Sequence, residues 1–241
     1  KKVFKKNKKE YSKLSEHIGL FPVVMISPYD TDLISEGSEF RRKWMDGIIA
    51  QFDREFLSDL QRYNKVLDQR NALLKQQFEN GFFEREPLEI WDEQLLRYGE
   101  SIYQKRKQFI EAFIPLFQHY YAWISDNQET VKLVYDSKLN DTSFHDLLTQ
   151  AFRKDSMSQH TSVGVHKDDL LFQLEGLPIK RFGSQGQQKS FLIAVRLAQF
   201  DWLKSKLNTV PVLLLDDIFD KLDNNRVAKL MDLVSNHTFG Q

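Results

Sequence analysis

The 241-residue sequence contains no cysteine. That excludes disulfides, thiolate zinc sites, cysteine-ligated clusters and a catalytic thiol, and it fits a reducing compartment. Net charge is also lacking: 34 Lys and Arg balance 34 Asp and Glu, so no global field calls for nucleic acid and any basic surface must be local. No apolar run approaches the length of a membrane span, and no signal-peptide core is visible. Internal repeats and low-complexity segments are absent. The first residue is Lys1 rather than Met, and the chain is expected to be a piece of something longer.

What is present suits a packed core. Hydrophobic residues make up 41% of the chain and Phe alone numbers 19, enough for one large domain or two small ones. Lysines 1, 2, 5, 6, 8, 9 and 13 crowd the start, and Lys6-Asn7-Lys8 reads as a hairpin turn. Lys5, Lys6, Lys8 and Lys9 are candidates for DNA phosphate contacts. A solvated edge hairpin is the competing reading, since lysines also discourage strand pairing. Phe21 to Ile26 has the length and apolarity of a buried parallel strand, ended by Ser27-Pro28. From Glu39 to about Gln77 one helix is expected, with Phe56, Leu60, Tyr63, Leu67 and Leu74 on a stripe. Gly81 and Pro87 break it. A second helix is expected from Leu88 to Ser125, seamed by Trp91, Leu95, Tyr98, Ile102, Phe109, Phe113, Leu116, Tyr120 and Trp123, with a kink or interruption at Pro115. Two such seams make a helical hairpin or small bundle. Strand character returns at Thr130–Tyr135, a short helix at Ser143–Phe152, and a polar turn at 161–169 leads into another strand.

The chemistry concentrates near the C-terminal end. Ser184-Gln185-Gly186-Gln187 opens an apolar helix, with Ser184 as N-cap and Gln187 completing a capping box. A helix N-terminus presents free N–H groups and a positive dipole end, an anion site for which phosphate is the usual guest. Val210–Leu215 reads as a buried strand, and Asp216-Asp217 stands at its C-terminal end, where ligands bind in open α/β sheets. An apolar strand ending in two acids is the layout of a Walker B element. The first acid can hold Mg²⁺ and the second can orient or deprotonate the attacking water. Phe219-Asp220-Lys221-Leu222-Asp223 follows at once. A competing parse makes residues 183–190 a phosphate-binding loop, but Gln188 stands where that loop needs its last Gly. No Walker A is found elsewhere.

The order Ser-x-Gly-Gln, Leu-Leu-Leu-Asp-Asp, Leu-Asp is similar to the C-terminal half of an ABC-type ATPase head of the SMC/RecF group. Four stretches resemble the bacterial RecF family specifically: Ser27-Pro28-Tyr29-Asp30 through Arg41–Asp46, Arg62–Lys75, Trp91–Leu95, and Val163–Leu170. In the last, Val165 and Lys167 replace the family's usual Pro and Arg. The resemblance implies an α/β fold, the C-terminal part of an ABC-type (P-loop NTPase) head with an inserted α-helical arm. Residues 1–35 would end the N-terminal half of the head, 36–128 form the arm, and 129–241 the C-terminal half. It implies a cytoplasmic, ATP-dependent DNA-binding protein of recombinational repair and the SOS response. Such a protein acts at gaps and single-strand/double-strand junctions with RecR and RecO and promotes RecA loading. ATP with Mg²⁺ would be sandwiched in a homodimer. Ser184, Gln185, Gly186 and Gln187 would face the γ-phosphate of the partner copy, Asp216 would support Mg²⁺, Asp217 would orient water, and Asp223 would lie at the dimer seam. Without Walker A, and ending before the strand expected to carry a switch His, the stretch from Lys1 to Gln241 is expected to bind ATP poorly and hydrolyse almost none. The alternative function is a non-catalytic DNA- or protein-binding module, in which the helices and lysines do the work.

Overall fold

A computed structural model describes residues 3–6, 8–11, 13, 17–207, 209–218 and 222–235. Lys1, Lys2, Asn7 and the segment Phe219-Asp220-Lys221, all part of the motifs above, lie outside the described residues, as does the side chain of Lys6.

The chain begins with a short antiparallel hairpin, β1 (Lys5–Lys6) and β2 (Lys9–Glu10). The apolar run at 21–26 forms β3 (Val23–Ile26), which ends in a 3-10 turn at Pro28–Thr31. Two short helices follow, α1 (Asp32–Ser35) and α2 (Ser38–Ile49). The expected single helix from Glu39 to Gln77 is divided. The side chain of Asp53 accepts a hydrogen bond from the Phe56 N–H and so starts a new helix, α3 (Arg54–Glu79). Helix α4 (Glu86–Ile124) returns antiparallel to α3, and it runs through Pro115 without the expected interruption. Contacts Asp53–Lys105, Asp59–Ser101 and Arg70–Asp92 fix the register of this pair. Their predicted seams are buried in part: Phe56 and Tyr63 join Leu95, Ile102, Phe109 and Phe113 in one core, Leu60, Leu67, Trp91, Tyr98, Leu116 and Trp123 pack against it partly buried, and Leu74 is buried apart from it. The aromatic stripe is core.

Strand β4 (Val131–Asp136) pairs antiparallel with β5 (Asp169–Leu174), and β5 with the short β6 (Leu177–Pro178). Between β4 and β5 lies α5 (Phe144–Ser158), capped by Ser143 and longer than the sequence suggests. A single turn, α6 (Ile179–Phe182), leads into α7 (Gln185–Lys206). Helix α7 packs on α4 and on β3 and is apolar nearly all round, from Phe191 to Leu203. Strand β7 (Val212–Leu215) and helix α8 (Asn224–Ser235) complete the described chain.

Strands β3 and β7 pair in parallel, with Val23 opposite Val212 and Met25 opposite Leu214. Pleating sends Val24 and Ile26 into the core at 1% and 3% exposure. Val23, Met25, Val212 and Leu214, on the other face, are 44–49% exposed. Parallel sheets are ordinarily covered on both faces. Here the face is bare among the described residues, against the buried strands expected from the apolar runs.

Candidate nucleotide site

The parallel pairing brings the C-terminal ends of β3 and β7 together: the Asp216 N–H donates to the Ile26 carbonyl at 2.9 Å. The turn Ser27–Thr31 and the acids Asp216 and Asp217 therefore stand at one end of the sheet. Both acids are exposed, and among the described residues neither carboxylate forms an ion pair. Asp217 holds a left-handed backbone at φ +49°, a conformation Asp tolerates better than most residues but at some strain. Lys189, in the second turn of α7, donates from Nζ to the Asp217 carbonyl at 2.8 Å and ties that backbone to the helix.

Helix α7 starts as its sequence predicts. The Ser184 Oγ accepts from the Gln187 N–H at 3.3 Å, and the Gln187 Oε1 accepts from the Ser184 N–H at 2.9 Å. The box engages the third N–H of the helix and leaves those of Gln185 and Gly186 at an exposed, electropositive end. Because Gln188 sits inside the helix, with Nε2 donating to the carbonyls of Gly183 and Ile179, residues 183–190 form no phosphate-wrapping loop. A cleft of about 220 Å³ separates the start of α7 from the Ser27–Thr31 turn, lined by Ser27, Asp30, Gln185, Gln188 and Lys189.

Asp223 caps α8. Its Oδ1 accepts from the Arg226 N–H at 2.9 Å, and its Oδ2 lies 3.2 Å from Arg226 Nε. Arg226 reaches on to Ser190 Oγ at 2.6 Å and Glu129 Oε1 at 3.0 Å, while Gln187 Nε2 also donates to Glu129. Burial opposes ionisation of Glu129, but the Tyr121, Gln187 and Arg226 donors hold its carboxyl below the usual range. Arg226 and Glu129 thus lock the start of α7 to α8. Nothing local in the sequence marks them; the long separation from 129 to 226 hides the pairing.

The lysine hairpin lies elsewhere. Lys5, Lys8 and Lys9 are exposed on β1–β2, and the hairpin is anchored through rings: the Tyr11 hydroxyl and His17 Nδ1 are 3.2 Å apart, and His17 contacts Phe4 and Phe21.

The turn at 161–169 is a buried polar hub rather than an open loop. Arg106 forms a bidentate pair with Asp46 at 2.8 Å for both bonds and also reaches the Val165 carbonyl and Asp168. Arg70 bonds Asp92, Asp155 and Thr161. The Tyr63 hydroxyl meets His166 Nδ1 at 2.8 Å, and His166 Nε2 meets the Thr161 carbonyl at 3.0 Å. A carbonyl only accepts, so His166 carries its proton on Nε2 and its Nδ1 accepts from Tyr63. Burial lowers the His166 pKa to about 4. Gly164 has φ +115°, and a Cβ there would lie 2.6 Å from the Tyr63 oxygen, so the turn needs glycine on both counts.

A parallel strand ending in paired acids, beside a capped helix that opens on Ser-Gln-Gly-Gln, defines part of an ABC-type α/β ATPase head. No protein-family model matches the chain. It is 53% identical over its whole length to the DNA replication and repair protein RecF of Flavobacterium johnsoniae, of which it covers 67%, and 51% identical to that of Phocaeicola vulgatus, of which it covers 64%. A solved structure of the recombination mediator protein RecF with ATP matches at a TM-score of 0.87 and 31% identity, over 98% of this chain and 65% of that one. A second, the RecF-ATPrS structure, matches at 0.84 and 32%, over 93% and 62%. The chain belongs to the RecF family, and it spans about two thirds of the length of these relatives. Among the described residues, no helix is long and apolar enough to cross a membrane.

Proposed function

We propose that the chain carries half of a nucleotide site in an ATP-dependent DNA-binding repair protein whose two copies close on ATP. Residues 1–35 and 129–241 belong to the head, and 36–128 to the arm. One observation supports this reading above the others: the start of α7, with its unengaged N–H groups, and the carboxylates of Asp216 and Asp217 are all left open, with no ion pair on either acid among the described residues, so each is available to a second copy. The donor set fits ATP with Mg²⁺. Unengaged N–H groups at a helix start suit phosphate oxygens, and Mg²⁺ is usually held by one or two carboxylates plus the phosphates themselves.

Ser184, Gln185, Gly186 and Gln187 would bind the γ-phosphate of the partner copy. Asp216 would hold Mg²⁺, which supplies neutralisation of charge developing on the phosphoryl oxygens. Asp217 would orient the attacking water and take its proton, with its backbone kept in place by Lys189. Asp223 orients α8 at the seam through Arg226. Recombinational repair at DNA gaps and junctions, with RecR, RecO and RecA as partners in the cytoplasm, follows from family membership as an expectation for the whole protein.

In protein of the relatives' full length, Asp217→Asn should still bind ATP and dimerise on it while turnover falls at least about a hundredfold. Steady-state ATPase and sedimentation with and without ATP measure both; unchanged turnover would remove Asp217 from the reaction.

A further inference from the structure

The turn between α3 and α4 carries three phenylalanines, Phe78, Phe82 and Phe83, which are 38%, 43% and 43% exposed. Phe78 and Phe83 meet edge to face, with ring centroids 6.2 Å apart. The backbone that bears them is fixed. Helix α3 ends in a Schellman motif: the Phe82 N–H donates to the Gln77 carbonyl at 3.2 Å, the Gly81 N–H donates to the Phe78 carbonyl at 3.1 Å, and Gly81 takes a left-handed φ of +74°. Gln77, itself buried, donates from Nε2 to the Glu84 carbonyl at 2.9 Å. Arg85 donates from Nη2 to Thr149 Oγ1 at 2.8 Å and ties the turn to α5. Beyond its chain neighbours, no atom lies within 4 Å of where a Gly81 Cβ would stand, so the outer side of the turn is open. Rings held exposed on a fixed backbone lose little freedom when a partner covers them, and such rings make strong anchors.

The charge around these rings has one sign. Between Phe78 and Gln94 stand five exposed glutamates, Glu79, Glu84, Glu86, Glu89 and Glu93, against one exposed cation, Arg85. Among the described residues Glu79 meets only Lys75, at 3.9 Å, and the other four form no ion pair. The dipole of α4 accounts for Glu86 and Glu89 in its first turn. It does not account for Glu93, and Glu79 stands in the last turn of α3, where the dipole opposes an acid. Rings inside an acidic rim repel nucleic acid, whose phosphates carry the same sign. They fit a protein segment whose apolar side chains are flanked by Lys or Arg.

We propose that the tip of the α3–α4 pair docks a partner protein through such a segment. Its apolar side chains seat on Phe78, Phe82 and Phe83, and its cations meet Glu79, Glu84 and Glu86. The proposal goes beyond the nucleotide half-site and does not rest on it.

The test starts in cells that make the full-length protein with the photo-crosslinker p-benzoylphenylalanine in place of Phe82. The attached segment is mapped by mass spectrometry, made as a fluorescein-labelled peptide, and titrated with full-length protein by anisotropy across a salt series. The mapped segment should carry apolar residues beside Lys or Arg. Phe83→Ala and Phe82→Ala should each weaken the peptide about tenfold or more. Glu84→Lys with Glu86→Lys should weaken it about tenfold at low salt and flatten its salt dependence. Circular dichroism matching the wild type keeps folding out of the comparison. Failure to crosslink any protein overturns the proposal, as does a crosslink to DNA or to a second copy of this chain. A mapped segment without Lys or Arg also overturns it, and so does a peptide that all the variants bind as tightly as the wild type.

Discussion

The two polar regions of this molecule are built on opposite plans. At the hub, Arg70, Arg106, Asp155 and Asp168 are almost fully buried, and each has its charge met by named partners within 3.3 Å. At the sheet end, Asp216, Asp217 and Ser184 are exposed, and the two carboxylates have no cation within ion-pair distance among the described residues. Groups whose valences are met inside the protein hold a fold together. Groups left open, on a frame that fixes their backbone, are free to meet a ligand. The same residue type, Asp, therefore does structural work at 46, 155 and 168 and stands exposed and unpaired at 216 and 217, as the proposed chemistry requires.

The sharpest way to break this contrast is at the hub. Arg106→Met would leave Asp46 and Asp168 buried without their counter-ion and should cost about 3–5 kcal/mol in urea denaturation. A loss below about 1 kcal/mol would mean that water replaces the guanidinium and that the hub is not sealed.

A smaller effect comes from His166. Its folded pKa of about 4 lies below the unfolded value of 6.5, so between those pH values the unfolded chain binds the extra proton. Stability from this group is fully present above pH 6.5 and is lost as pH falls toward 4, with a slope of at most about 1.4 kcal/mol per pH unit. His166→Asn should flatten that window in denaturation curves taken from pH 7 to 4.5. An identical slope in the variant would place the titration on other groups, Glu129 among them.

The smallest stability effect belongs to the open end. Asp217→Asn should change the unfolding free energy by no more than about 0.5 kcal/mol, while the proposed role has turnover fall at least about a hundredfold. A large destabilisation there would make Asp217 a structural residue and erase the contrast.

How much of this was legible in the sequence follows the range of the interactions involved. Ser184 and Gln187 are three residues apart, so the capping box is written locally and the structure reproduces it. The parallel strands at 23–26 and 212–215 could be read from apolar runs, and the two seams of the helical pair from their spacing. The break at Asp53 is hidden in the sequence because the helical pattern continues across it, while the cap that restarts the helix is a single side chain. Pro115 sits in a helix that tertiary packing carries through, with Phe113 and Phe117 fully buried on either side. The hub could not be assembled from sequence, because Arg106 joins residues 46, 165 and 168, and Arg70 joins 92, 155 and 161. The motif Val163–Leu170 carries part of the family resemblance, yet its role as a buried clamp emerges only when the helices are in place. The lysine hairpin is present and exposed at Lys5, Lys8 and Lys9, and its anchoring through Tyr11, His17 and Phe21 uses rings that spacing alone does not connect.

The central claim is that the Ser184 end of one copy and the Asp216-Asp217 end of another complete a single site. The direct measurement mixes two inactive full-length variants, Ser184→Arg and Asp217→Asn, and follows ATP turnover against each alone. In a mixed dimer, one site receives the intact acid of the first variant and the intact helix end of the second. Random pairing should therefore restore about one quarter of wild-type turnover. A mixture as inactive as its components would contradict the account and place both groups in the site of a single copy.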